Sequence, residues 1–148
     1  MGTENDQHEF FRLLLEKSNA AIPLFRNISP QGYQNWVATF GHGTTESGYQ
    51  YRIRQSDAEV GYFTGSKDLD LAKRRFEFLK TMGHAIEAAF GEPLHWRYKV
   101  NHQAQVIASY CKVGGLKDKQ KWPEIQKDLV DRMVRLERAL RPHMWFPE

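Results

Sequence analysis

The chain lacks the features that mark several large protein classes. Its 148 residues include one cysteine, Cys111, which excludes an internal disulfide and a site with several cysteine ligands. No apolar run of about 18 residues occurs, so we expect no membrane span. The amino terminus, MGTENDQHEFF, is polar and acidic, and Asp6 stands where a myristoylation signal needs Ser or Thr. These absences favour a cytoplasmic protein.

Catalytic motifs are also missing from the sequence. The six histidines form no HxH or HExxH pair. Ser66 and Ser109 have no G-x-S-x-G context, so acyl transfer is unsupported. His42, in a Gly-rich turn near Glu46, leaves a metal site as an alternative to a solvated loop. We therefore predict no catalytic residue, no metal site and no cofactor.

A phosphate-binding loop is suggested by YFTGSKD, residues 62–68, but the spacing does not fit. Gly61 and Gly65 are four residues apart rather than five, and Asp68 rather than Ser or Thr follows Lys67. An acidic residue would repel phosphate there, but it can cap the helix that follows. We interpret the stretch as a corner between a strand and a helix.

The chain does have segments of helical spacing that alternate with segments in which apolar and polar residues alternate. Helical spacing predicts helices over residues 5–20, 69–90 and 122–140, and alternation predicts strands over 35–40, 48–55, 59–64, 94–100 and 104–111. The order is α-β-β-β-α-β-β-α, and short connections favour antiparallel pairing. We predict one α+β domain, residues 1–148, with a mostly antiparallel sheet of about five strands and helices packed on one face.

Positive charge is concentrated in one region. Residues 94–121 contain six cationic residues and one acidic residue, a net charge of +5 in a chain whose total is +3. Alternation directs one set of side chains away from the helices: Arg52, Arg54, His95, Arg97 and Lys99. An adjacent loop can extend this set with Lys112, Lys117, Lys119 and Lys121. We predict that these residues bind nucleic acid or another anion.

Two observations qualify this prediction. An uncovered sheet face must be polar in any case, so the cations have an alternative explanation without a ligand. The aromatic residues of the same strands, Tyr49, Tyr51, Trp96 and Tyr98, alternate toward the helices. The sequence therefore gives little support to base stacking.

The carboxyl terminus supplies a second candidate surface. Met144, Trp145 and Phe146 follow the last helix between two prolines. These side chains can anchor a partner protein or a second copy of the chain, or they can fold back over the edge of the core. Both alternatives stay open.

Several segments occur in a characteristic order: NWVATFGHG, SGYQYRI, EVGYFTGSKDLDLAKRRFEFL, and the tail from GEPLHWRYK to KDKQKWPEIQKDLVDRMVRLERALRP. In this order the chain resembles the bacterial domain of unknown function 4268 family, from about Gln34 to Pro142. The resemblance implies a domain that often follows a nuclease-like domain and has a role near DNA processing or phage defence. We expect this chain to depart from that arrangement, because the residues before Gln34 do not resemble a nuclease domain. The family has no established catalytic residues, so no site is carried over.

Three functions follow from these observations. The first is a non-enzymatic binding module that recognises DNA or RNA through a basic sheet face. The second is a module for protein interaction or oligomerisation, including homodimers, that docks a nuclease or another defence protein. The third is a metal-dependent nuclease, although no E-x-K pair stands on a predicted strand.

Overall fold

A computed structural model describes residues 2–30, 34–40 and 46–144. Its helices and strands are α1 (Gly2–Ala21), β1 (Trp36–Phe40), β2 (Gly48–Ile53), β3 (Ala58–Gly65), α2 (Leu69–Thr81), α3 (Gly83–Phe90), β4 (His95–Arg97), β5 (Ala104–Cys111) and α4 (Trp122–Leu140). The predicted α+β class and element order are confirmed, except that the predicted middle helix is divided in two. Among the described helices, none combines the length and apolar character needed to cross a bilayer.

The five strands form one antiparallel sheet in the order β1-β2-β3-β5-β4. Alternation places Tyr49, Tyr51 and Tyr62 on the side of the sheet that faces the helices, and all three are fully buried. The register aligns Tyr51 with Val60 and Tyr49 with Tyr62. The prediction that β2 directs its apolar residues toward the helices is therefore confirmed.

The helices cover one face of this sheet. The Ser18 hydroxyl of α1 lies 2.9 Å from the Tyr51 hydroxyl of β2. Phe10 of α1 meets Trp122 of α4 edge to face, with ring centroids 5.3 Å apart. Burial is the first cause of the raised pKa of the Tyr51 hydroxyl. The core thus lies between the sheet and a single helical layer, as predicted.

The apolar stripe of the predicted middle helix is buried, but its backbone is not continuous. The break falls at Met82, whose N–H donates to the carbonyl oxygens of Leu79 and Lys80. The Thr81 hydroxyl also donates to Phe78 O, at 2.6 Å. Such bonds tighten the last turn of a helix, and α3 then begins at Gly83. At the other end, Asp68 accepts from the backbone N–H groups of Asp70 and Leu71, so the predicted helix cap is confirmed.

The fourth strand is shorter than predicted. β4 ends at Arg97, and the predicted inward positions Tyr98 and Val100 are 40% and 68% exposed. The Gln105 side chain explains the early end, because it accepts from Lys99 N and donates to the carbonyl oxygens of Lys99 and His102. These bonds hold residues 99–102 in a turn rather than a strand.

Candidate functional site

The sheet face opposite the helices is here called the open face, because no described helix packs on it. Alternation assigns residues of all five strands to it: Trp36, Ala38, Phe40, Gln50, Arg52, Glu59, Gly61, Phe63, Val106, Ala108, Tyr110, His95 and Arg97. The strand register places Arg52, His95 and Arg97 on one surface, as predicted. Arg54 is the first residue after β2, and Lys99 is the second residue after β4.

A concavity of about 530 Å³ lies on the open face. Twelve residues line it: Trp36, Ala38, Phe40, Gln50, Arg52, Arg54, Phe63, Arg97, Lys99, His102, Ala104 and Val106. Four of them are cationic, and none of these twelve is acidic. Small-molecule sites span roughly 300 to 1,000 Å³, so the concavity has room for a ligand the size of one or two nucleotides.

Glu59 of β3 organises the cations beneath this concavity. Its side chain is fully buried, and its carboxylate accepts from Arg54 Nη2 at 2.5 Å and from Arg97 Nη2 at 2.9 Å. Arg54 also donates to Asp57, and Arg97 to the Tyr110 hydroxyl. Neighbouring strands are about 4.8 Å apart, so β2 and β4 are separated by roughly 14 Å. The long side chains of Arg54 and Arg97 span that distance by meeting at Glu59 on β3, one of the two strands between β2 and β4.

Arg52 differs from the other two arginines. It lies directly opposite Glu59 in the β2–β3 register, yet among the described residues no group accepts a hydrogen bond from its shielded Nε. Burial is the main cause of the lowered pKa of Arg52, and repulsion from Arg54 and Arg97 adds to it while Glu59 opposes it. The concavity therefore contains a half-buried guanidinium that lacks a full set of partners.

Aromatic side chains on the open face correct the sequence interpretation. Tyr49, Tyr51 and Trp96 do face the helices, but the other strands contribute rings to the open side. Those rings are Trp36, Phe40, Phe63 and Tyr110, and His95 stands against the Tyr110 ring with centroids 4.6 Å apart. The alternation of β2 and β4 alone gives no information on the rings of β1, β3 and β5.

The rings and the cations occupy the same concavity. Trp36 lies opposite Arg52 in the β1–β2 register, and Phe40 and Phe63 are in edge-to-face contact at 6.3 Å. Phe40 is 57% exposed although it is a large apolar residue on an edge strand. Planar apolar surface beside unpaired positive charge is the combination that single-stranded nucleic-acid sites use.

The loop after β5 is less uniform than predicted. It docks on the β2–β3 turn, where Leu116 N donates to Arg54 O at 2.8 Å. Lys119 forms an ion pair with Asp6 of α1 at 2.9 Å, which directs it toward the helical layer. The three other predicted lysines, Lys112, Lys117 and Lys121, are exposed.

The carboxyl-terminal candidate surface is described only at its first residue. Met144 is half-buried and packs against the core, in agreement with the fold-back alternative for that side chain. Trp145 and Phe146 lie outside the described residues. The same holds for His42, so the alternative of a metal site in its turn also falls outside them.

Among the described residues, neither the cysteine thiol nor a group of metal-ligating side chains offers a second candidate site. Cys111 is buried, and burial is the first cause that raises the pKa of its thiol to about 11. Within residues 2–30, 34–40 and 46–144, no group of three or more His, Cys, Asp and Glu residues is arranged to hold a metal ion. The open face is thus the part of the described structure where geometry and charge point to a ligand.

Comparison with known proteins identifies a family match. The sequence model of a family described as Domain of unknown function (DUF4268) matches residues 7–144, which is nearly the whole chain. No curated protein and no solved structure matches. The match agrees with the resemblance found in the sequence, and its description names no ligand.

Proposed function

Since the chain belongs to the DUF4268 family of domains of unknown function, we propose a function from the open face itself: a non-enzymatic module that binds single-stranded nucleic acid. The observation that carries the proposal is the shared concavity of Trp36, Phe40 and Phe63 with Arg52 and Lys99. Rings of this kind stack on bases of any sequence, and the cations attract the phosphates. A role in DNA processing or phage defence is part of the proposal.

The ion pairs of Glu59 limit how much each arginine contributes. Arg54 and Arg97 already donate to a carboxylate, so their net attraction for phosphate is reduced. Arg52 and Lys99 carry no ion pair among the described residues. We therefore expect Arg52 and Lys99 to supply most of the phosphate contacts, and Glu59 to keep the other two arginines in place.

Fluorescence anisotropy with a labelled oligonucleotide of about 15 nucleotides tests the proposal, because sheet-based sites cover strands of roughly this length. We expect binding to a single strand and a roughly tenfold loss of affinity between about 50 and 200 mM salt, as two phosphate contacts require. Binding should be weaker to the matching duplex, whose paired bases cannot stack on the rings. Absence of binding at low salt, or equal binding to duplex, would contradict the proposal.

Matched variants distinguish binding at the open face from a non-specific effect of the protein's charge. Arg52→Gln should weaken binding roughly tenfold, the value of one charge-assisted contact, whereas Arg74→Gln on exposed α2 removes the same charge and should leave affinity within about twofold. Phe40→Ala should weaken binding by a similar factor, and Met82→Ala in the helical layer should not. Equal losses in each pair would refute a binding site on the open face.

A further inference from the structure

The geometry of the concavity points to a more specific ligand within the proposed function: we infer that it holds a phosphate monoester at the end of a single strand, with the phosphate on Arg52 and its own base on Trp36. This inference rests on the proposed function, since it names the part of the nucleic acid that the open face prefers. It is carried by the charge balance of the concavity, the position of Arg52 and the size of the space.

The charge balance comes first. The concavity is lined by Arg52, Arg54, Arg97 and Lys99, and the carboxylates that contact these cations are Glu59 beneath them and Asp57 at the turn. Four positive and two negative groups leave a charge of +2. A terminal phosphate carries about −1.5 to −2 at pH 7, whereas a phosphodiester inside a strand carries only about −1. A monoester therefore balances the concavity and a diester does not.

The position of Arg52 supports an end rather than the middle of a strand. Its Nε is shielded from solvent and has no hydrogen-bond partner among the described groups, although a guanidinium offers a planar fork of donors. A phosphate must enter the concavity to reach this fork. A strand end enters with the chain on one side, while an internal phosphate must bring the chain both in and out past lining residues such as the exposed Phe40.

The neighbouring ring sets the size of the ligand. Trp36 is the cross-strand partner of Arg52, and such partners have Cβ atoms roughly 5 Å apart. A phosphate on Arg52 and the base of the same nucleotide on Trp36 thus require only one nucleotide. A volume of about 530 Å³ accommodates that nucleotide and part of the next.

Removal of the unpartnered cation should not harm the fold. Burial disfavours the charge of Arg52, and the attraction of Glu59 is opposed by repulsion from Arg54 and Arg97. We expect Arg52→Gln to unfold at about the same urea concentration as the unsubstituted protein, and Arg52→Lys to keep the charge while losing the planar fork. These two variants therefore report on binding rather than on folding.

The test compares labelled single strands of about six nucleotides that carry a 5′-phosphate, a 3′-phosphate or neither, in a size range that one such site covers. We expect one of the two terminal phosphates to raise affinity by at least about tenfold over the unphosphorylated strand, as one charge-assisted pair requires. Arg52→Gln should reduce that advantage to less than about twofold, Arg52→Lys should retain part of it, and Arg74→Gln should leave it intact.

The outcomes separate the inference from the proposed function. If all three strands bind equally, or if the advantage survives Arg52→Gln, the inference is overturned and the proposed function stands. If no strand binds, the proposed function falls. Thymidine 5′-monophosphate, with thymidine and inorganic phosphate as controls, distinguishes the source of the monoester. If the mononucleotide binds and none of the three strands does, the concavity is a site for a free nucleotide, and the nucleic-acid part of the inference is overturned.

Discussion

Glu59 is a fully buried carboxylate on a sheet face that no described helix covers, and its surroundings explain how it is tolerated there. Taking a carboxylate out of water costs several kcal/mol unless partners replace the water. Arg54 and Arg97 supply three hydrogen bonds to its two oxygens, and the arginine side chains themselves shield it. Glu59 thus fixes two guanidinium groups that would otherwise move freely, at the position where the proposed ligand binds.

The Glu59–Arg97 pair gives a prediction on stability. Arg97→Met should lower the free energy of unfolding by about 3 kcal/mol, because it leaves a buried carboxylate with fewer partners. In a Glu59→Gln background, the same substitution should cost less than about 1 kcal/mol, because no buried charge then depends on Arg97 as its partner. Urea denaturation of the four proteins measures the difference. Equal costs in both backgrounds would show that Arg97 stabilises the fold independently of Glu59.

Sequence alternation predicts which face each arginine occupies but not what it meets there. Arg52 and Arg97 were assigned correctly to one surface because period two requires it. The partners of Arg97 depend on the strand order, since β3 and β5 separate β4 from β2. No local pattern around Glu59 signals its burial. The unpaired state of Arg52 is likewise a property of the assembled sheet and not of its neighbours in the chain.

Connections between elements, rather than the elements themselves, carry much of the specificity of this fold. α3 and β4 are joined by Glu87, whose carboxylate accepts from Leu94 N at 2.8 Å and from Trp96 Nε1 at 3.2 Å. The hydrogen bond from Leu94 is the first cause of the lowered pKa of Glu87, and the bond from Trp96 adds to it. The short edge strand β4 is thereby tied to the helical layer.

Glu87→Gln should make stability less dependent on pH. A carboxylate whose pKa is lowered in the folded state stabilises it above the unfolded pKa of about 4.3, and this contribution is lost as pH falls through the folded pKa. The variant should therefore lose about 1 kcal/mol at neutral pH and differ little from the unsubstituted protein near pH 3. Glu77→Gln, exposed on α2, is the matched control and should cost nothing measurable. A constant loss at all pH values would contradict this account.

The loop after β5 depends on a close approach of backbones at Gly115. A Cβ atom at this position would lie 2.5 Å from Arg54 O, Gln55 O and Asp57 N. Gly115→Ala should therefore separate the loop from the β2–β3 turn and cost about 2 kcal/mol, by overpacking and by loss of backbone hydrogen bonds. Gly83→Ala, whose Cβ would be 3.6 Å from Trp96, should be neutral or slightly stabilising. Thermal unfolding of both variants tests the contrast, and equal shifts would contradict it.

Element boundaries show where sequence patterns stop being sufficient. The strands β1, β2, β3 and β5 agree with the predicted segments within two residues, because each carries a strong alternation or a buried run. β4 alternates equally well over residues 94–100, but the bonds of Gln105 end it at Arg97. The break at Met82 is similarly invisible in a regular apolar stripe. In both cases hydrogen bonds from a side chain to the backbone end an element although the spacing of its apolar residues continues.

At the scale of the whole molecule, one sheet separates two environments. Its covered face holds the buried tyrosines and the helical layer, and its open face holds the charged concavity. Because the core needs only one face, the other is free of the packing constraint and can present half-buried charge and exposed rings. A ligand on the open face therefore need not displace any described helix.

Labelling of Cys111 measures whether the core opens only when the whole domain unfolds. Cys111 ends the interior strand β5, it is fully buried, and its thiol pKa is raised to about 11, so almost no reactive thiolate exists in the folded protein near pH 8. We expect a thiol reagent to label it only through global unfolding, with a urea dependence equal to that of equilibrium unfolding. Lys112→Cys in a Cys111→Ser background, one residue further on and exposed, should react at once. Rapid labelling of Cys111 at low urea would instead show that the end of β5 opens locally, and the concavity would then rest on a less rigid sheet than its ion pairs imply.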